Sequence, residues 1–126
     1  METNKPYGYE LILDLHKCNS SKFNRKSLRE FFTKLCEEID MEPADLHFWD
    51  YEGYPEEKEL APPHIMGTSA VQFILTSTIV VHTLDLLEAV YVNIFSCKEF
   101  DRASAETLVK SWFESQESTS RFIERV

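Results

Sequence analysis

The sequence predicts a single α+β domain, a two-layer sandwich with one largely antiparallel sheet and two helices on one of its faces. Three observations lead there. Apolar and polar residues alternate at the period of a strand in several separate stretches. Two other stretches repeat apolar residues at helical spacing. Two amphipathic helices are too few to cover both faces of so many strands, so they gather on one face and leave the other for a partner. With 126 residues and 43% hydrophobic content, residues 1–126 build one core and too little for two.

Tyr7, Tyr9, Leu11, Leu13 and Leu15 alternate with Gly8, Glu10, Asp14 and His16, which is the pattern of a half-buried strand. Asn19 to Lys26 is polar and reads as a loop. Ser27, with Glu30 three residues on, fits a capping box. Leu28, Phe31, Phe32, Leu35, Cys36 and Ile39 then mark the buried stripe of a helix that Pro43 ends, with Cys36 as a small core residue. Leu46 to Tyr51 is short and aromatic, a second strand. Glu52 to Gly67 carries three prolines and four acidic side chains, and reads as one long loop. Ala70–Leu75 and Ile79–Thr83 are two strands joined tightly at Thr76-Ser77-Thr78. Leu84 to Leu87 connects them to a strand over Glu88–Cys97, apolar on both faces and therefore central or covered on both sides. A second helix starts at Asp101 or Ser104, with Ala105, Leu108, Val109, Trp112 and Phe113 as its buried stripe. Ser115–Ser120 reads as a loop and Arg121–Val126 as a last short strand.

The formal net charge of −9 argues against nucleic acid and anionic membrane, since both would present phosphate to an acidic surface. No apolar run reaches the length of a membrane span, and the opening residues lack the basic and apolar regions of a signal peptide. The three cysteines, Cys18, Cys36 and Cys97, fit neither a disulfide framework nor a metal motif, which points to a reducing, cytoplasmic setting. His16, His47, His64 and His82 have no metal-binding spacing, so a metal hydrolase is disfavoured and no metal is expected.

The chemistry-bearing residues fall in the apolar stretch from Ser69 to Cys97. Ser77 lies at the tight turn, His82 follows five residues later and Cys97 fifteen after that, while Ser69 lies eight before Ser77. A serine at a strained turn can attack the carbonyl before it and turn the amide into an ester. A base then removes the serine α-proton, the ester is eliminated, and the serine remnant becomes a pyruvoyl group. Such a group condenses with an amine and draws electrons as pyridoxal phosphate does. Ser77, His82 and Ser69 offer the hydroxyl, the base and an oxyanion donor. Cys97 offers an acid for the carbanion that decarboxylation leaves.

These residues resemble the core of the S-adenosylmethionine decarboxylase family in its short prokaryotic form. That family carries a serine, then Glu-Ser-His, then His-Thr-Trp-Pro-Glu, then Phe-Thr-Cys. Here stand Ser69, Ser77, His82-Thr83 and Phe95-Ser96-Cys97, at intervals of eight, five and fifteen residues that agree with the family's. The likeness covers most of the chain apart from the acidic insertion at residues 52–63. It implies Ser77 as the pyruvoyl precursor, with self-cleavage between residues 76 and 77. Ser69 and His82 would assist processing, and Cys97 would be the proton donor. It also implies a homodimer with the open sheet faces together, an amino-acid-type small-molecule substrate, and a role in spermidine synthesis. The substrate's adenine would stack on Phe48, Trp49 or Tyr51. The departures are Thr76 for glutamate, Thr78 for histidine, and Leu84-Asp85-Leu86 for Trp-Pro-Glu. Leu86 stands where the family's ribose-binding glutamate falls, with Asp85 one residue early. A nucleoside would lose hydrogen-bond partners there. Ornithine or arginine therefore remains open as substrate, and so does a family member that no longer cuts itself and serves as a binding or regulatory subunit.

Overall fold

A computed structural model describes residues 5–126; residues 1–4, part of the segment read above for a leader, lie outside it. The elements in chain order are β1 (Gly8–His16), a single 3-10 turn at Ser20–Lys22, α1 (Arg25–Glu38), β2 (Pro43–Trp49), α2 (Pro55–Leu60), β3 (Gly67–Ile74), β4 (Ser77–Leu84), β5 (Ala89–Ser96), α3 (Arg102–Trp112) and β6 (Glu117–Arg125). The six strands form one sheet in the order β2-β3-β4-β5-β1-β6, and every neighbouring pair is antiparallel. The predicted α+β sandwich is the one observed, with a short third helix added.

Strand alternation decides which residues enter the core. Leu11, Leu13 and Leu15 of β1, Ile79 and Val81 of β4, and Val90, Val92 and Ile94 of β5 are buried beneath the helices. From α1 come Leu28, Phe31, Phe32 and Leu35, and from α3 Ala105 and Val109, followed by Phe113. Phe31 packs against Phe32, Trp112 and Phe113 with ring centroids 5.0–6.0 Å apart, joining the two helices over the middle of the sheet. The opposite face carries Tyr91, Phe95, Phe73 and His82, and among the described residues no helix covers it.

Several boundaries differ from those the sequence predicts. Ser27 is not the cap of α1: Asn24 is, with its side-chain oxygen accepting from the Ser27 N–H at 2.9 Å. Ser27 instead accepts a hydrogen bond from the Trp112 indole, 3.1 Å away, and so links α1 to α3. The helix stops at Glu38, well before Pro43, because Asp40 turns left-handed at φ 56° and its N–H closes on Glu37. Pro43 opens β2 at the sheet edge, where its missing N–H leaves no ladder bond unmade. A bulge between Pro43 and Leu46 is filled by the buried Gln72 amide, which donates to the Ala44 and Asp45 carbonyls. The segment read as one loop holds α2, started by a proline at its first turn with Glu56 and Glu57 behind it. The stretch from Glu117 to Ser120 belongs to β6. That strand pairs only with β1 and stands at the edge, so polar side chains suit its exposed face. Of the two caps proposed for α3 the chain uses Asp101, which accepts from the Ser104 N–H. Gly67 begins β3 where a Cβ would lie 1.7 Å from the Thr83 carbonyl oxygen, so no other residue fits there without moving β4.

Candidate active site

Strands β3 and β4 form a hairpin whose last pair is Ile74 with Ser77, leaving Leu75 and Thr76 as the turn. A two-residue turn requires a left-handed residue, and here it is Thr76, at φ 54°. A β-branched side chain is strained in that region. The strained residue thus precedes Ser77, the first residue of β4, which is buried.

The β4–β5 register pairs Thr78 with Phe95, and carried past the strand end it brings Ser96 opposite Ser77 and Cys97 opposite Thr76. The contacts follow from that. The Cys97 N–H donates to Ser77 Oγ at 3.2 Å. Ser77 Oγ lies 3.9 Å from Cys97 Sγ, and Thr76 Oγ1 lies 3.0 Å from the same sulfur. Ser96, fully buried, accepts the Lys98 N–H and donates to the Lys98 carbonyl, which fixes the bend that carries Cys97. A cleft of about 360 Å³ opens beside this group, lined among others by Met41, Ile74, Leu75 and Lys98. Lys98 Nζ holds the Asp40 carbonyl oxygen at 2.6 Å, tying the cleft wall to the end of α1.

Hydrogen bonds from the Thr76 and Ser77 hydroxyls pull the Cys97 thiol below its ordinary value. The other cysteines go the opposite way: burial raises Cys18 and pushes Cys36 up to about 11. Cys97 is therefore the reactive thiol of the three.

Ser69 and His82 form a second group. The β3–β4 register sets them side by side on the open face, with Ser69 Oγ and His82 Nδ1 2.8 Å apart. The same row continues to Trp49 on one side and Tyr91 on the other. The sequence reading joined all four residues in one site. Within a protomer, however, His82 stands five residues along β4 from Ser77, which at the rise of a strand is about 16 Å. Ser77 and Cys97 are brought together, as are Ser69 and His82, but the two pairs are apart.

The candidate substrate residues are dispersed. Phe48 lies on the helix side of β2 with the Arg25 and Arg29 guanidinium groups 5.3 and 5.1 Å from its ring, so the ring is already engaged by cations. Trp49 is on the open face, 65% exposed and edge-on to Tyr51, whose hydroxyl donates to the Ile65 carbonyl. Asp85 sits at the far end of β4 beside Lys58, with one carboxylate oxygen buried and unpartnered. Tyr91, Ser96 and Lys98 were missed as site residues. Ser96 and Lys98 flank Cys97 in the sequence, and Ser96 stands within the Phe95-Ser96-Cys97 match; the closeness of Tyr91 to His82 is shown only by the pairing register. Among the described residues, no group of three or more His, Cys, Asp or Glu is placed to hold a metal ion, and no helix is long and apolar enough to cross a membrane.

The fold and the site together define a two-layer α+β domain in which a strained turn sets a buried serine beside a cysteine. The S-adenosylmethionine decarboxylase family profile matches residues 9–126, and the chain belongs to that family. Its fold is similar to that of the crystal structure of the adenosylmethionine decarboxylase from Aquifex aeolicus VF5. The TM-score is 0.75 at 16% identity, over 96% of this chain and 92% of that one. A comparison with curated protein sequences finds no match.

Proposed function

We propose that this chain is a self-processing, pyruvoyl-dependent decarboxylase that acts on S-adenosylmethionine in polyamine synthesis, in the cytoplasm, as a homodimer. The observation that carries the reading is the Thr76–Ser77–Cys97 cluster. A left-handed threonine precedes a buried serine whose hydroxyl is held by the Cys97 N–H and lies beside its thiol. These residues fit the pyruvoyl group that the family implies. The serine that would become it stands at the mouth of a cleft, with one acid beside it. Once formed, the group would supply a carbonyl for the substrate amine and an electron sink for decarboxylation.

The chain's own residues do the rest. The Cys97 N–H orients Ser77 Oγ toward attack on the Thr76 carbonyl, and strain at Thr76 lowers the barrier. Cys97 delivers the proton that replaces the lost carboxyl group. Proton removal from the Ser77 α-carbon needs a base within hydrogen-bond reach, and His82 of the same chain is too distant. A second copy, with its open face laid against the first by a two-fold axis, supplies its own Ser69–His82 pair to this site. The exposed Tyr91, Phe73 and Trp49 on that face favour such burial. Among substrates, S-adenosylmethionine follows from the family. Leu86, 60% exposed and unable to accept a hydrogen bond from its side chain, keeps arginine and ornithine as comparisons.

The test is release of labelled carbon dioxide from carboxyl-labelled S-adenosylmethionine, arginine and ornithine. Release from the first, abolished by Ser77→Ala, supports the proposal. Release from arginine or ornithine alone corrects the substrate, and release from none of them contradicts the activity.

A further inference from the structure

We propose that Thr76 sets the proton on Cys97 twice. Its hydroxyl holds Cys97 in a proton-accepting form while the chain is whole, and the carboxylate that self-cleavage leaves on it turns Cys97 into a proton donor. This rests on the self-processing just described, and assigns Thr76 as a positioning residue for both reactions.

The starting point is a conflict of roles. Attack by Ser77 requires something to take its hydroxyl proton, and the nearest group able to do so in the same chain is Cys97 Sγ, 3.9 Å away. Decarboxylation requires the same sulfur to carry a proton and give it up. One thiol serves both only if its proton affinity changes in between.

The geometry supplies that change. The Thr76 hydroxyl lies 2.7 Å from the Leu75 carbonyl oxygen and 3.0 Å from Cys97 Sγ, with one hydrogen for two acceptors. Facing a thiol, it donates to Leu75 and accepts from S–H; facing a thiolate, it swings and donates to the sulfur. Ser77 is the other hydroxyl donor to that sulfur. Cleavage alters both. As the Ser77 Oγ bond to the Thr76 carbonyl carbon forms, the hydroxyl proton passes to Cys97 Sγ. The Thr76–Ser77 C–N bond breaks and its nitrogen takes that proton from Cys97 Sγ to become an amine, leaving the sulfur to be protonated from solvent later. Loss of the Ser77 α-proton then expels Oγ from Cβ with its electron pair, as part of a Thr76 carboxylate. The remaining aminoacryloyl end takes up water and releases ammonia. No oxidant is needed. The Ser77 hydroxyl donor is gone, and a negative charge has appeared on the residue that touches Cys97. Each change favours the protonated thiol.

The other groups facing Cys97 stay in place through cleavage. They are Tyr7, and Asp40, Glu42 and Lys98 around the cleft, with Lys98 paired to Asp40. None is altered covalently, so the change is carried by residues 76 and 77.

The experiment measures the rate of Cys97 alkylation by iodoacetamide against pH, read peptide by peptide by mass spectrometry. Cys18 and Cys36 are buried and react slowly. Uncleaved Ser77→Ala is compared with processed wild-type protein. Both lack the Ser77 hydroxyl; they differ in the neutral pyruvoyl group and in the Thr76 carboxylate, and of these only the carboxylate carries a charge. The expected result is a midpoint about one unit or more higher in the processed protein, a roughly tenfold slower alkylation at any pH below both midpoints. In the uncleaved Ser77→Ala background, Thr76→Val raises the midpoint and Thr76→Ser restores it. A processed protein whose midpoint is unmoved or lower overturns this inference alone. A wild-type chain that never cuts overturns it together with the function proposed above.

Discussion

Thr76 is a threonine in a conformation that suits glycine, and the consequence is measurable. At φ 54° a residue with a Cβ is strained by roughly 1–2 kcal/mol relative to its right-handed forms. Glycine removes that strain but gains freedom in the unfolded chain, which offsets about 0.4–1 kcal/mol of the benefit. Thr76→Gly should therefore be more stable than Thr76→Ala by about 0.5–1 kcal/mol, both lacking the hydroxyl near Cys97. The comparison is made in the Ser77→Ala background, where cleavage cannot intervene. Urea unfolding at equal slope reads it directly, and for a domain of this size the melting temperature should differ by about 2–5 °C. The same strain should act on processing. With Ser77 restored, the glycine variant should cleave more slowly than the alanine variant, by about fivefold for each 1 kcal/mol relieved. If glycine is the less stable of the two, or cleaves as fast as alanine, strain at residue 76 is not what drives the reaction.

Further outcomes follow from the same structure. His82→Ala should stop cleavage while leaving the fold intact, since Ser69 and His82 meet on the exposed face. Co-assembly with Ser77→Ala chains should restore cleavage of the His82→Ala chains, scored by mass. Restoration places the base in the second copy, and its absence places the base in the same chain. Gly67→Ala should destabilise the domain by about 3 kcal/mol in denaturant unfolding, because the added methyl meets the Thr83 carbonyl of the neighbouring strand. The Arg25 guanidinium grips Asp50 through two bonds of 2.8 and 3.0 Å and holds its carboxyl below the ordinary 3.8. A depressed carboxyl stabilises the fold above its unfolded value and loses that contribution as pH falls below it. Asp50→Asn should thus cost about 1 kcal/mol at neutral pH after solvent screening, with the difference vanishing in acid melts.

How much of this was legible in the sequence depends on the range of the forces involved. The strand from Tyr7 to Leu15 and the stripes of α1 and α3 are local periodicities, and they could be read directly. The run from Glu117 to Ser120 looked like a loop because its strand character comes from pairing with β1, not from its own side chains. Asn24 and Ser27 are both good caps three residues apart, and the choice falls to Asn24 because Trp112, distant in sequence, takes Ser27. The closeness of Ser77 and Cys97 was expected from family spacing, but its cause is the β4–β5 register. That register also separates His82 from Ser77, since five residues along a strand cannot fold back on themselves. A linear motif records intervals. It does not record which strand, or which copy of the chain, brings two residues together.

The central claim is that the peptide bond between Thr76 and Ser77 breaks, and intact mass under denaturing conditions tests it most directly. The account predicts two fragments, residues 1–76 and 77–126, the second blocked at its amino end by a carbonyl in place of the amine, and neither formed by Ser77→Ala. A chain that remains whole after prolonged incubation as an assembled dimer would contradict it.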